Sequence, residues 1–500
     1  MISRRTFLGG AAAASTAIAL AGCSTDAGSS GRVRVAFPGG GSRETLDPHV
    51  VPQFLDQARA KACFEVLAGW GQDMRPEPRL AESWESDPTA TRWNIRLRRT
   101  TWHDGRPVTA ADVLATWRRI ADPATSASAA TLYRGVDLAA SSAVSDTELD
   151  VVLTAPNRFF PLAWGAPGAE ILPGGTVDPS RPVGCGPFRF ASFLPGVSTL
   201  YTAFDGHWAG PPASRELEFL VIGDETARVG ALLSGQVAWA HDLRTTSAAQ
   251  VDGDSRTRLV AAPAATHYSL PLRVDRPPFS DPRLREAVRL GIDREALVRV
   301  AMLGRGRPGN DMFGRDVEYY PADVPQVTRD VDRARALVAE AGAQGLAFDL
   351  QASTVAPVFP GLATQLAEQL GEIGLRATPR MLPSENYFVS IRTTGVASLS
   401  QTGSLPIPDF LARRAVSTAV ANNYTGYRNP AIDQLVAAAA AAPDPSAPLR
   451  DAQLLLRADS GNLFPVSGDY LVGTAAELTG YDPARPNTAA WARFDQVRVD

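Results

Sequence analysis

The stretch "WNIRLRRTTWHDGRPVTAADVLATWRRIADP", Trp93 to Pro123, divides at a turn. Before the turn, Trp93, Ile95 and Leu97 alternate with polar residues, the period of a half-buried strand. Asp104-Gly105 supplies the turn chemistry. Beyond it Thr109 stands before "AADVLATWRRI" as an N-cap, so a helix is expected to begin there. Trp93 and Trp102, together with the nearby Trp84, are assigned to scaffold packing.

Outward from this block the same alternation of periods continues. "RVRVAFPG" (32–39) reads as the first strand and 56–69 as a helix with Ala60, Phe64 and Leu67 on one face. Residues 281–302 carry Leu284, Ala287, Val288 and Ile292 at helical spacing, with Pro282 in the first turn. Two more amphipathic helices, 330–341 and 359–373, are each closed by a glycine, Gly342 and Gly374. Strand-like "LAFDLQAST" lies between them and "LRATPRML" after them, an order that argues a partly parallel α/β sheet. The alanine run 437–442 falls on an expected helix.

At 500 residues the chain exceeds what one hydrophobic core supports, so at least two lobes are expected. Its 45% hydrophobic and 20% charged composition is that of a globular protein. A formal charge of −4 argues against a nucleic-acid partner. Lys61 stands alone as a lysine among 49 basic residues, which reads as a compositional habit.

The first residues tell a different story. "SRRTFLGGAAAASTAIALAGC" (3–23) sets Arg4 and Arg5 before an uncharged run too short to span a bilayer but suited to an export signal. The arginines with Phe7 and Leu8 resemble the twin-arginine export pattern. Leu20-Ala21-Gly22-Cys23 resembles a bacterial lipobox, which implies a lipid on Cys23, removal of 1–22 and a polar tether over 23–31. Two cysteines then remain, Cys63 and Cys185. An oxidising compartment allows them to pair, and two buried free thiols are the alternative.

Enzyme signatures are sparse. No serine has the G-x-S-x-G frame, and the five histidines (49, 103, 207, 241 and 267) form no H-E-x-x-H and share no metal spacing with cysteine. Gly304-x-Gly306-x-x-Gly309 matches the dinucleotide fingerprint, but it follows a helix and contains Pro308, so a flexible loop is expected. His103-Asp104 reads as structural. No catalytic residue, cofactor or metal site is therefore assigned.

Several segments together resemble one family, the extracytoplasmic solute-binding proteins of family 5 that serve peptide and nickel ABC importers. They are "LDPH" (46–49), "CFEVLAGW" from Cys63, "PEPRLAESWE" (76–85), the opening block, "PVGCGPFRF" (182–190), "RPPFSDPRLREAVRLGIDREALV" (276–298), "DVDRARALVAEAG" (330–342) and "NNYTGYRNPAIDQLV" (422–436). The resemblance implies a bilobal α/β clamshell of the periplasmic-binding-protein type (type II, large cluster). Its first lobe would take 32–273 and 470–500, with an inserted subdomain at about 76–182, and its second lobe 274–469. It also implies a monomer, anchored by lipid outside the cell membrane, that captures a peptide or related solute and delivers it to an ABC permease. A nickel chelate, an oligosaccharide or, from another class, a lipoprotein hydrolase are the alternatives.

Peptide-binding members hold the ligand's ammonium with an aspartate in a segment that matches "LSQTGSLPIPDFLARR" (399–414). Here the aspartate position falls near Thr402 to Ser404 and carries no carboxylate. Asp409 is the nearby acid, expected either to replace that charge or, preferably, to cap a helix starting at Phe410. By the same resemblance Pro52 to Leu55, above all Phe54, with His267 and Tyr268 before a strand at 269–274, Ser404 and Tyr424, are candidate ligand contacts.

Overall fold

The structure, a computed structural model, describes residues 31–39, 44–50 and 53–500. Arg4, Arg5, Cys23 and Pro52 lie outside the described residues. Among the described residues, nine strands make one mixed sheet, one of them, Gly306–Pro308, pairing with Asn462–Ala475 off the main path. Its backbone order from one edge is Ser400–Gly403, Thr257–Pro271, Asn462–Ala475, Trp239–Ala240, Arg32–Phe37, Glu216–Val221, Ser198–Ala203 and Phe188–Leu194. Arg32–Phe37 runs parallel to both neighbours, and the remaining pairs are antiparallel.

A second sheet orders Arg376–Met381, Ala347–Ala352 and Ala397–Ser398, all parallel. Helix Phe359–Glu372 crosses between the first two of these, as a parallel pair requires. A third sheet, antiparallel, orders Ala81–Ser86, Arg92–Leu97, Glu148–Leu153 and Val136–Ser145. The opening block builds it: Trp93, Ile95 and Leu97 are buried on one face, and Thr109 caps helix Ala110–Ala121 in a capping box with Asp112. Trp102 is buried, and Trp84 lies edge-on to Trp164 at 5.4 Å.

Two long strands tie the cores together. Thr257–Pro271 buries Ala262 and Ala265 against Val35, Phe219 and Trp239, whereas its end, Leu270, packs with Leu284, Leu350 and Phe359. Asn462–Ala475 runs back the same way, from Leu463 and Val466 in the second core to Tyr470 and Val472 in the first. A chain that crosses twice between two cores is a two-lobed clamshell joined by an antiparallel ribbon.

Several expectations are corrected. The first helix ends at Cys63, and 68–70 is a strand rather than its last turn. Residues 281–302 are not one helix: Pro282–Gly291 stops at Ile292, Asp293 caps a new turn, and a π-helical turn follows over Leu297–Ala301. Gly306–Pro308 is not a loose loop but a short strand on Val466–Gly468. Its glycines permit that contact, since a Cβ on Gly309 would lie 1.9 Å from the oxygen of Phe464. Cys63 and Cys185 are free thiols, both buried, with burial pushing Cys63 up to about 12. His103 bonds the oxygen of Gly186 at 3.0 Å while Asp104 pairs with Arg106 at 2.7 Å, so the adjacent couple is structural.

Candidate functional site

The crossing ribbon carries the first candidates. His267 and Tyr268 lie inside the long strand Thr257–Pro271 rather than ahead of a strand. His267 is buried, its Nδ1 sharing a hydrogen bond of 2.9 Å with Ser467 on the neighbouring strand and its ring edge-on to Phe313 at 4.6 Å. A serine beside a histidine is the geometry a hydrolase would need. Burial, with Arg485 and Arg315 nearby, pulls this imidazole down to about 3, far too weak a base to activate a hydroxyl at neutral pH. Its Nε2 has no hydrogen-bond partner, so no carboxylate orients the ring.

Tyr268 is half-buried, edge-on to Phe359 at 6.2 Å, and burial raises its phenol above the usual range. Tyr424 lines a cavity of about 40 Å³ together with Thr402, Phe313, Phe410 and Arg414. Phe313 and Phe410 stack face to face, centroids 4.0 Å apart at 9°. Arg414 is half-buried against the Tyr424 hydroxyl, and desolvation lowers its guanidinium. The cavity thus offers aromatic faces with Arg414, Asp311 and several hydroxyls beside them, a setting for a partly apolar solute.

Asp409 does not take the capping role expected of it. Pro406 and Pro408 start the helix at Ile407, which puts Asp409 within the first turn, where its side chain caps nothing. It pairs instead with Arg413, 3.0 Å away, on the next turn. Burial raises its carboxyl while Arg413 opposes the shift. Asp409 faces a separate cavity beside Phe159 and Leu162. Ser404 is buried, and its hydroxyl donates to the oxygen of Ala265 at 3.0 Å. Phe54 opens helix Phe54–Cys63 and packs on Trp491 at 5.1 Å and His241 at 5.3 Å. The six candidates are therefore not brought to one place. Tyr424 alone lines the aromatic cavity, and Thr402, one of the positions without a carboxylate, joins it there.

The motifs did not predict a polar cavity of about 30 Å³ in the first lobe. Asn487, on its wall, donates its side-chain amide to the oxygen of Ser404 at 3.0 Å. Gln57, Lys61, Glu65, Arg79, Glu170 and Arg493 share its wall. The Lys61 ammonium donates to the oxygens of Thr488 at 2.6 Å and Trp491 at 3.0 Å and sits 5.0 Å from the Trp491 ring centre. Burial pulls it down to about 7. Burial alone would raise Glu65, but Arg493, Arg79 at 2.6 Å and His207 at 3.1 Å hold it well below the usual carboxylate range. One signal in the sequence could have found this place: the uniqueness of Lys61.

The two halves of the molecule meet along one seam. Glu318 donates its backbone N–H to the oxygen of Asp73 at 2.9 Å, and its carboxylate meets Arg75 at 3.0 Å. Arg158 donates its N–H to the oxygen of Ala440 at 2.9 Å. Trp70, Met74 and Leu162 share one apolar cluster with Phe313, Phe410 and Phe464. This is a clamshell with its jaws together.

Among the described residues no cluster of three or more metal-ligating side chains occurs, and no helix is long and apolar enough to cross a membrane. Residues 75–423 match the sequence profile of the bacterial extracellular solute-binding proteins, family 5. The glutathione-binding protein GsiB of Pectobacterium atrosepticum is 24% identical over 465 residues, covering 88% of this chain and 90% of that protein. Among solved structures, AgaA of Agrobacterium tumefaciens in complex with agropinic acid superposes with a TM-score of 0.76 at 23% identity, over 94% of this chain and 99% of that one. DppA of Helicobacter pylori in complex with the peptide STSA gives 0.77 at 18% identity, over 94% and 98%.

Proposed function

Since this chain belongs to the bacterial extracellular solute-binding proteins of family 5, we propose that it is the receptor of an ABC importer, capturing a peptide or an amino-acid-derived solute between its lobes and handing it to the permease. The observation that carries this reading is a cavity between the lobes, lined by Leu132, Phe159 and Leu162 on one side and by Pro408, Asp409 and Val436 on the other.

The lobe limits we assign are 32–273 with 470–500 and 274–469, with an inserted subdomain at about 76–182. Closure then acts on the crossing ribbon, and a ligand raises the closed population by binding that state better than the open one. A permease need read only the closed form. Anchoring through a lipid on Cys23, after export directed by Arg4 and Arg5, would keep a monomeric receptor at the outer face of the membrane beside its permease.

The chemistry of the cleft is that of binding rather than of turnover. Ser467 and His267 are the one serine–histidine pair at the ribbon, and the weak basicity of that imidazole removes its use. The test is denaturing extraction of purified protein followed by mass spectrometry. A peptide or amino-acid derivative released in near-equal amount to the protein is expected. A protein that releases nothing and cleaves ester or amide reporters would overturn the reading.

A further inference from the structure

Glu170 is 4% exposed and rests on a short segment held from both sides. His49 donates from Nε2 to its backbone oxygen at 2.8 Å, and the next N–H, of Ile171, donates to the oxygen of Glu65 at 2.9 Å. The side chain accepts from its own backbone N–H and from that of Gly168, yet its Oε2 has no partner. On the facing helix Gln57 Oε1 is also buried without a partner, and both residues line the charged cavity. Leaving a buried acceptor unmade costs about 1–3 kcal/mol, more when it is charged, so two on one cavity call for a guest with several N–H donors.

The charge of the wall adds a second requirement. Lys61, Arg79 and Arg493 line it against Glu65 and Glu170, and Glu65 is already consumed by the two arginines. Ionised Glu170 would welcome an ammonium, while Lys61, now on the oxygens of Thr488 and Trp491, and Arg493, now on Glu65 and Asp495, would turn toward a carboxylate.

We propose that this cavity takes an α-amino-acid head group, ammonium and carboxylate on one carbon, with the ammonium on Glu170 and Gln57 and the carboxylate toward Lys61 and Arg493. Glu170 then supplies, from the other lobe, the counter-charge that is missing near Ser404. Free amino acids and γ-glutamyl conjugates carry such a head, whereas an ordinary peptide N-terminus carries only its ammonium half. The inference rests on the receptor reading and names the part of the solute that this cavity recognises.

The test titrates glutathione and the common amino acids, each beside its N-acetyl counterpart, into the full chain and into Glu170→Gln. At least one free compound should bind the wild type, its N-acetyl form about tenfold or more weakly, and Glu170→Gln should erase that preference. Gln57→Met, a substitution of similar length on the helix, should weaken the same compound and keeps the question answerable if Glu170→Gln does not fold. Equal binding of acetylated and free forms, a preference that survives in both variants, or no binding by any compound would overturn the inference. In the last case a solute still recovered from the purified protein leaves the receptor reading standing, and its absence removes both.

Discussion

Asn487 and Ser404 are joined by a hydrogen bond of 3.0 Å from the side-chain amide of the first to the backbone oxygen of the second. The contact ties the C-terminal segment, on the wall of the charged cavity, to the residue that follows strand Ser400–Gly403. Asn487→Ala should leave the fold intact and loosen closure. Solute affinity is expected to fall about tenfold, the value of one well-made buried hydrogen bond, with a larger radius of gyration by solution scattering in the presence of solute.

Glu65 is fully buried and clamped by Arg79, Arg493 and His207. Glu65→Leu would leave two guanidinium groups in the interior without their counter-charge. A loss of about 3–5 kcal/mol is expected in denaturant titration, because breaking a buried network strands its remaining charges.

Mild acid should destabilise the protein through its buried histidines. His49 and His103 are lowered to about 4 and His267 to about 3, each chiefly by burial. A base whose folded value is depressed binds fewer protons folded than unfolded below its ordinary value near 6.5, so stability falls as pH drops from 6.5 toward 4. Asp56, raised to about 6, and Glu170, raised to about 7, act the other way over the same window, since their folded forms hold the proton first. The three histidines together lose about 5 kcal/mol between pH 6.5 and 5 against roughly 3 kcal/mol regained from the two acids, a net loss of about 2 kcal/mol. His241, also held well below its ordinary value by burial, deepens it. Melting temperatures measured at pH 7 and pH 5 check the sign.

Lys61 gives a direct reading of local opening. Its ammonium is held by two backbone oxygens and the Trp491 ring, so an amine-reactive ester should add to this lysine far more slowly in the folded protein than after unfolding. Mass spectrometry of folded and denatured protein should differ by one adduct. Lys61→Met should cost about 2 kcal/mol by leaving the oxygens of Thr488 and Trp491 unmatched.

Cys23 and the arginine pair predict location. Cys23→Ser should move the protein from the membrane fraction to the soluble exported fraction, and replacing both Arg4 and Arg5 by lysine should retain it inside the cell. Cell fractionation with an antibody to the folded body reads both outcomes.

The architecture was legible where local chemistry and packing agree. Thr109 caps its helix as its type and position demand, and Trp93, Ile95 and Leu97 face inward as their alternation demands. Resemblance supplied the two-lobed fold, which no periodicity could. The helix expected over 281–302 failed because Ile292 satisfies the apolar period while Asp293 beside it caps a fresh turn. Asp409 was misread because Pro406 and Pro408 move the helix start ahead of it and Arg413 stands one turn on. The charged cavity was hidden because Lys61, Glu170 and Asn487 are far apart in the chain and meet only through tertiary packing. A lone lysine looked like composition until its burial showed that it occupies a specific place.

The central claim is that a solute closes the two lobes over itself. Its most direct test is to strip the protein of its endogenous solute, return that solute by calorimetric titration and follow the particle by small-angle scattering. The account predicts one site per chain and a fall in radius of gyration that tracks saturation. A titration that saturates with no contraction, or no binding by the stripped protein, would contradict it.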